Sequence, residues 1–159
     1  MDASSPSIAL SIRQPWAALV VAGLKSIEVR AWPTKQKGRI LIHAARVSDR
    51  RPMGWEWLPD PLLELAHLRG GIIGRAELLD CIAYRSTESF AADEKLHMND
   101  PAWFRGSIVY GFRFGAATPL PFRRYPGWLR FFNVARGRHS NTAALFPGFD
   151  EEEHVEYRL

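Results

Sequence analysis

The chain has 159 residues, of which 47% are hydrophobic and 24% are charged, with a formal net charge of +4. This length fits one domain spanning residues 1–159, and this composition excludes an intrinsically disordered chain. The single cysteine, Cys81, excludes an internal disulfide framework and is expected to be a buried thiol in a reducing compartment.

Neither a targeting segment nor a membrane span is predicted. The first residues lack the basic start and long apolar run of a signal peptide. The longest apolar stretch, residues 17–22, is far shorter than the roughly 20 residues that cross a bilayer. We therefore predict a cytoplasmic protein without a membrane partner.

The charge is unevenly distributed along the chain. Residues 150–159 carry a charge of −4, so the rest of the chain carries +8. This balance suits a polyanionic partner such as nucleic acid, although a merely basic surface would give the same total. The acidic segment itself could be solvated or could compete with a polyanion for the basic face.

The N-terminal third of the chain alternates strands with one helix. Residues 8–12, 27–32 and 39–45 show the apolar alternation of half-buried strands. Between the first two, Pro15 suits the first turn of a helix and Gly23 suits its exit.

The remainder is predicted to contain two long strands and one short one, at residues 71–84 with a bend at Gly74, 107–117 and 131–134. The connections are a partly helical segment at 46–70, a helical or irregular excursion at 86–104 and a proline-rich basic loop at 118–130. Two to four short helices and glycines inside long strands predict an α+β fold in the form of a small β-barrel.

A charge cluster follows the first helix. Lys25 lies two residues after Gly23, and Glu28 and Arg30 share one face of the next strand because side chains alternate with a period of two. Burying such charges costs several kcal/mol unless they are paired. The cluster is therefore either a structural ion-pair network or a functional site.

These residues resemble a known family signature. Pro15-Trp16 followed by Gly23-x-Lys25-x-x-Glu28-x-Arg30 is similar to the pattern of the ASCH domain. Residues 38–45, with His43, and residues 110–134 resemble its next strand and its closing region. The resemblance covers most of residues 8–134 and leaves 135–159 as a C-terminal extension.

The resemblance implies a PUA-like β-barrel with a cleft lined by the lysine, the acid and the arginine. It links the chain to RNA, to ribonuclease activity and to amidohydrolases that act on N(4)-acetylcytidine. In the amidohydrolases a lysine, a threonine three residues later and a distant glutamate carry the chemistry. Lys25 matches the lysine, Glu28 occupies the threonine position, and Asp93 or Glu94 are the candidates for the distant acid, ahead of Glu77.

Two functions follow from these candidates. Lys25 could act as base or nucleophile, with Glu94 activating water and Arg30 stabilising an oxyanion. A carboxylate at Glu28, however, favours the ammonium form of Lys25, which suits binding better than attack. The leading prediction is thus an RNA-binding domain, and the alternative is a hydrolase with Lys25, Glu28 and Glu94 as catalytic residues.

A second cluster interleaves cations with aromatic residues. It comprises Arg123, Arg124, Tyr125, Trp128 and Arg130, and it continues to Arg136, Arg138 and His139. Such a mixture suits single-stranded RNA or a modified nucleoside, although the aromatic residues could instead be core. The predicted binding residues are Pro15, Trp16, Lys25, Arg30, His43, Arg123, Arg124 and Trp128.

The histidines show no metal-ligand spacing, so neither a metal nor another cofactor is predicted. His43 alternates with apolar neighbours, which suits a hydrogen-bonded barrel histidine or a cleft residue. A shallow basic groove from Arg30 towards Arg123 and Trp128 would favour RNA binding. An open pocket with Lys25 at its floor would favour a hydrolase, and a sealed cluster would favour a structural role.

Overall fold

The computed structural model of the protein describes residues 8–135. Its framework is a six-stranded sheet in the order β2-β5-β4-β3-β1-β6. The strands are β1 (Ile8–Ile12), β2 (Ile27–Arg30), β3 (Gly38–Ala44), β4 (Gly71–Tyr84), β5 (Val109–Arg124) and β6 (Phe131–Asn133). Adjacent strands are antiparallel except β1 and β3, which are parallel.

All the helices in this part of the chain are short. They are α1 (Trp16–Val21), α2 (Pro52–Glu56), α3 (Leu63–Ala66), α4 (Thr87–Ala92) and α5 (Glu94–His97), with 3₁₀ turns at Asp60–Leu62 and Pro101–Trp103. None of them is long and apolar enough to cross a membrane. The predicted α+β class with short helices is confirmed.

Helix α1 lies at the centre of the core, and all six of its residues are buried. It ends at Gly23, whose φ of +81° favours glycine, as the sequence predicted. The helix approaches β4 so closely that a Cβ at Gly74 would lie 2.6 Å from the methyl carbons of Val21. The predicted bend at Gly74 coincides with a register shift in the ladder between β4 and β5.

The two ends of the sheet curl towards each other. Arg30 of β2 donates a hydrogen bond of 2.7 Å from Nη2 to the backbone oxygen of Ser11 in β1. Trp32, just after β2, packs edge-on against Phe131 of β6, with 5.7 Å between ring centroids. The strand order nevertheless starts at β2 and ends at β6, so in residues 8–135 side chains rather than a backbone ladder join the two ends of the predicted barrel.

Strand β5 is longer than predicted, because residues 118–124 of the predicted loop continue it. Arg124 still pairs with Gly71 of β4, whereas β2 pairs only with residues 110–113. Phe114 still donates from its backbone N–H to the backbone oxygen of Ser26 at 2.8 Å. Beyond Phe114, β5 is paired along one edge in the described chain, and the prolines at 119 and 121 fall in this stretch. Proline lacks a backbone donor, so an edge of this kind tolerates it.

The structure describes Cys81 but not residues 136–159 of the C-terminal extension. Cys81 lies in β4 and is half-buried rather than fully buried. Residues Arg136, Arg138 and His139 and the acidic segment 150–159 lie outside the residues that the structure describes.

Candidate functional site

The predicted charge cluster forms a buried ion triad. Glu28 lies between two cations, with 3.6 Å from its Oε1 to Nζ of Lys25 and 3.2 Å from its Oε2 to Nη2 of Arg30. The three residues are between 1% and 3% exposed. Both Glu28 and Arg30 lie in β2, and the turn at Gly23 brings Lys25 beside them. At this burial the carboxylate is the main compensation for both positive charges.

Backbone oxygens complete the coordination of the two cations. Arg30 donates to Ser11, as described above, while the Lys25 ammonium donates to the backbone oxygen of His97 at the end of α5. The Lys25 Nζ also lies 5.0 Å from the centroid of the Trp16 ring, in a cation–π contact. The lysine is thus held between β2, α1 and α5.

Burial dominates the protonation of Lys25. It lowers the pKa of the amine from 10.5 to about 8, although Glu28 acts in the opposite direction. From the sequence, desolvation of Lys25 and the carboxylate of Glu28 have opposite effects on this pKa, and Glu28 was expected to prevail. In the structure burial outweighs Glu28, because the lysine is enclosed more completely than its spacing in the sequence indicates. A lysine with this pKa is accessible in both its charged and its neutral form near physiological pH.

Lys25 and Glu28 line a small cleft. Its other lining residues are Trp16, Val29, Arg51, Asn99 and Trp103, and its volume is about 20 Å³. A cavity of this size holds about one water molecule. The triad is therefore neither fully sealed nor at the floor of a wide pocket. Arg30 does not line the cleft, although its Nη2 contacts Oε2 of Glu28.

An arginine stacked on a tryptophan forms the rim of the cleft. The Arg51 guanidinium carbon lies 4.1 Å from the centroid of the Trp103 ring. The Arg51 side chain is 37% exposed, so solvent reaches the rim. Trp16 and Trp103 thus give the cleft aromatic surfaces, while Lys25 and Arg51 provide donors and Glu28 an acceptor.

Asp49 fixes both the rim and the wall of the cleft. Its carboxylate accepts a 2.8 Å hydrogen bond from Nε1 of Trp16. It also accepts bonds of 2.8–3.2 Å from the backbone N–H, Nε and Nη2 of Arg51. Burial alone would raise the pKa of Asp49, but the hydrogen bonds from Arg51 and Trp16 outweigh it and hold the pKa below 3.8. Ionised Asp49 therefore stabilises the fold above its ordinary pKa.

We expect Asp49→Asn to lower the free energy of unfolding at pH 7 by about 2–3 kcal/mol, because the variant loses charged hydrogen bonds at a buried position. Urea denaturation measures this loss. The difference from the wild type should shrink as pH falls through the lowered pKa, where Asp49 becomes protonated.

The matched control is Asp80→Asn, which breaks a similar pair between Asp80 and Arg113 at 2.7 Å. That pair is about 40% exposed on both sides, so its loss should cost less than about 1 kcal/mol. Equal losses in the two variants would contradict the role assigned to Asp49.

The other candidates from the ASCH resemblance lie at different distances from the cleft. Trp16 lines it, and Pro15 precedes α1 directly. Glu94 begins α5, the helix whose last residue accepts the hydrogen bond from Lys25, but it is half-buried and outside the lining of the cleft. Asp93 accepts a 2.6 Å hydrogen bond from the Tyr84 hydroxyl.

His43 is a fully buried barrel histidine. Its Nε2 is 2.7 Å from the backbone oxygen of Tyr125, and its Nδ1 is 2.8 Å from the Ser11 hydroxyl. Since a carbonyl oxygen only accepts, Nε2 carries the proton, and in the neutral ring Nδ1 accepts from Ser11. Of the two alternatives for His43, these contacts match the structural one.

The second predicted cluster does not form a single surface with Arg30, which is buried. Arg123 donates to the backbone oxygen of Ala135, and its guanidinium lies 5.3 Å from the centroid of the Tyr125 ring. Trp128 is half-buried and packs against Phe132 at 5.5 Å. Arg124 is exposed and faces a separate groove.

Sequence reasoning missed Arg51, Asn99, Trp103 and Asp49. The first three line the cleft, and the fourth positions Arg51. They lie in the segments 46–70 and 86–104, whose irregular pattern gave no periodicity from which a face could be assigned. In the described part of the chain, no group of three or more His, Cys, Asp or Glu residues is placed to hold a metal ion.

Comparisons with known proteins find related sequences and a similar fold. The model of the ASCH domain matches residues 10–136. Human activating signal cointegrator 1 is 29% identical over 104 residues, which cover 60% of this chain and 18% of that protein. The mouse protein of the same name is 30% identical over 92 residues, which cover 48% and 14%. The chain thus spans less than a fifth of the length of these curated relatives.

The fold is similar to that of the crystal structure of ASCH from Zymomonas mobilis, with a TM-score of 0.56 and 14% identity over 87% of this chain and 92% of the other. A mutant of that protein gives the same TM-score at 15% identity over 89% and 96%. At such low identity the likeness shows the fold alone. The match of the family model over most of the sequence shows that the chain belongs to the ASCH domain family.

Proposed function

We propose that this ASCH domain binds RNA and that the cleft beside Lys25 and Glu28 receives an unpaired base or a modified nucleoside. The observation that carries the proposal is a nearly buried lysine and glutamate that still line a cleft between two tryptophans. Replacing a buried ion pair by apolar residues is often neutral or stabilising, so stability alone does not account for paired charges that line a cleft. Aromatic surfaces next to hydrogen-bonding groups are the usual means of holding a splayed base.

Binding requires the rim of the cleft to open. A pocket for a small molecule has a volume of roughly 300–1,000 Å³, whereas this cleft has about 20 Å³. The guanidinium of Arg51 occupies the face of Trp103 on which a flat base would stack. Because the Arg51 side chain is partly exposed, we infer that the base displaces it and that Arg51 then meets a phosphate.

The proposal is tested by titrating labelled single-stranded RNA, and separately N(4)-acetylcytidine, into the wild type and Trp103→Ala. We expect Trp103→Ala to weaken binding of both ligands by roughly 5- to 100-fold, since stacking contributes about 1–3 kcal/mol per base. Trp57→Ala is the matched control, because Trp57 is exposed and does not line the cleft. Equal affinities for the wild type and Trp103→Ala would contradict base binding in the cleft.

A hydrolase is the second candidate, and the pKa of Lys25 favours it. An amine with a pKa of about 8 is partly neutral near pH 7.5, and a water-sized cavity lies beside it and Glu28. In this reaction neutral Lys25 would take a proton from water as the water attacks an acyl carbon, and would return it to the leaving amine. Chromatography of the same samples reveals any product, and turnover that Lys25→Met abolishes would establish the hydrolase.

A further inference from the structure

A second basic surface lies where three strands of the sheet end. Arg46 follows β3, Arg69 precedes β4, and Arg124 is the last residue of β5. These positions are far apart in sequence but lie side by side, because β3 and β5 both pair with β4. Arg69 also donates from Nη1 to the backbone oxygen of Arg46, at 3.3 Å.

Backbone hydrogen bonds hold the three strand ends together. Gly70 donates to the carbonyl of Ala44 at 2.8 Å, and Tyr125 donates to the carbonyl of Gly70 at 3.1 Å. The arginines are thus mounted on connected backbone. Arg69 and Arg124 are exposed, and Arg46 is partly buried.

Together with neighbouring side chains the arginines line a shallow depression of about 410 Å³, here called the arginine groove. Its lining comprises Arg46, His67, Leu68, Arg69, Phe122 and Arg124. This lining includes three guanidinium groups and no carboxylate. The adjoining apolar depression shares His67 and Leu68 with the arginine groove. Among the described residues, its lining contains Glu64 and no arginine or lysine, so it does not extend the basic surface.

An aromatic ring lies within the arginine groove. Phe122 is 39% exposed although phenylalanine is usually buried. Its ring packs directly on the backbone of Gly71, where a Cβ would lie 2.6 Å from a ring carbon. The absence of a side chain at Gly71 therefore allows the ring to rest on the strand beside the arginines.

We propose that the arginine groove binds single-stranded RNA, with Arg69 and Arg124 on phosphates and Phe122 stacked on a base. Guanidinium groups match phosphate geometry, and an exposed ring in the same groove suits a nucleic acid better than an acidic peptide, which has no bases to stack. The inference rests on the proposed RNA-binding function but concerns another surface, since the groove and the cleft share no lining residue.

The test is fluorescence anisotropy of a labelled single-stranded RNA at several salt concentrations. Each phosphate contact on a single strand contributes about 0.7 to the slope of log K against log salt. We expect the double variant Arg69→Ala/Arg124→Ala to reduce this slope by about 1.4 and to weaken binding at low salt by at least tenfold. Phe122→Ala should weaken binding by roughly 5- to 100-fold with little change of slope.

The control is Arg85→Ala/Arg105→Ala, which removes the same charge at exposed positions outside the groove. An equal loss in this control would overturn the proposal, because bulk charge would then explain the binding. Tight binding of a labelled poly-glutamate peptide that RNA does not displace, lost in the groove variant, would instead assign the groove to an acidic protein segment.

The cleft variant separates this inference from the proposed function. If Trp103→Ala weakens RNA binding and the groove variants do not, the cleft proposal stands and the groove proposal fails. If only the groove variants weaken binding, the groove proposal stands and the cleft proposal fails. A wild type that does not bind RNA overturns both.

Discussion

Glu28→Gln is expected to lower the free energy of unfolding at pH 7 by about 3–5 kcal/mol, because it leaves two buried cations without their carboxylate. Lys25 and Arg30 are each 1% exposed, so solvent can compensate little of the lost negative charge. The loss is a large part of the roughly 5–15 kcal/mol that stabilises a typical domain. Urea denaturation followed by circular dichroism measures it.

The double variant Lys25→Met/Glu28→Gln tests whether uncompensated positive charge causes the loss of stability in Glu28→Gln. Removing Lys25 as well removes its repulsion with Arg30. The double variant should therefore lose about 0.5–3 kcal/mol less unfolding free energy than the two single variants lose in sum. Glu77→Gln is the matched control, since Glu77 is a half-buried strand residue opposite Arg39, and its loss should stay below about 1 kcal/mol. Simple additivity of the two single losses would argue against charge compensation.

The stability of Glu28→Gln should also depend on pH. Glu28 raises the pKa of Lys25, so its removal places that pKa below the value of about 8 in the wild type. In this variant Lys25 carries its uncompensated positive charge below its pKa and loses that charge above it. The deficit relative to the wild type at pH 7 should therefore shrink as the pH rises towards 8.

RNA binding in the cleft is expected to weaken as the pH rises through about 8, because Lys25 then loses the charge that attracts a phosphate or a base edge. For a contact that requires the ammonium form, affinity should fall up to about tenfold per pH unit above the pKa. Anisotropy titrations between pH 6.5 and 9.5, at constant ionic strength, measure this profile.

Lys25→Met provides the comparison for this profile. The substitution keeps most of the side-chain length and leaves Glu28 paired with Arg30, so the fold should persist. Its affinity should be weaker at pH 7 and nearly constant across the range. A constant affinity in the wild type would show that the charge of Lys25 does not contribute. Turnover that rises with pH through about 8 would favour the hydrolase, since that role needs the neutral amine.

Much of the site could be predicted from the sequence because its spacing is local. The turn at Gly23 and the two-residue period of β2 are enough to bring Lys25, Glu28 and Arg30 together, and the structure confirms that they form one cluster. The α+β class followed from the same local patterns. Helix α1 was found from Pro15 and Gly23, which are read directly from the chain.

The sequence could not tell how the cluster is surrounded. Burial lowers the pKa of Lys25, and this burial depends on α5, which packs against the lysine from a distant part of the chain. Arg51 and Trp103 reach the rim from two irregular segments, where no periodicity indicates which way a side chain points. Their roles depend on packing that only the folded chain provides.

The sequence by itself therefore determined the fold class, the family signature and the charged residues that lie on one strand. Tertiary structure alone decided that the cleft is narrow, that Arg30 does not line it and that Arg46, Arg69 and Arg124 line a separate groove. The physical reason is the range of the interactions. Local geometry follows from backbone sterics and side-chain alternation, whereas solvation and the meeting of strand ends depend on long-range pairing.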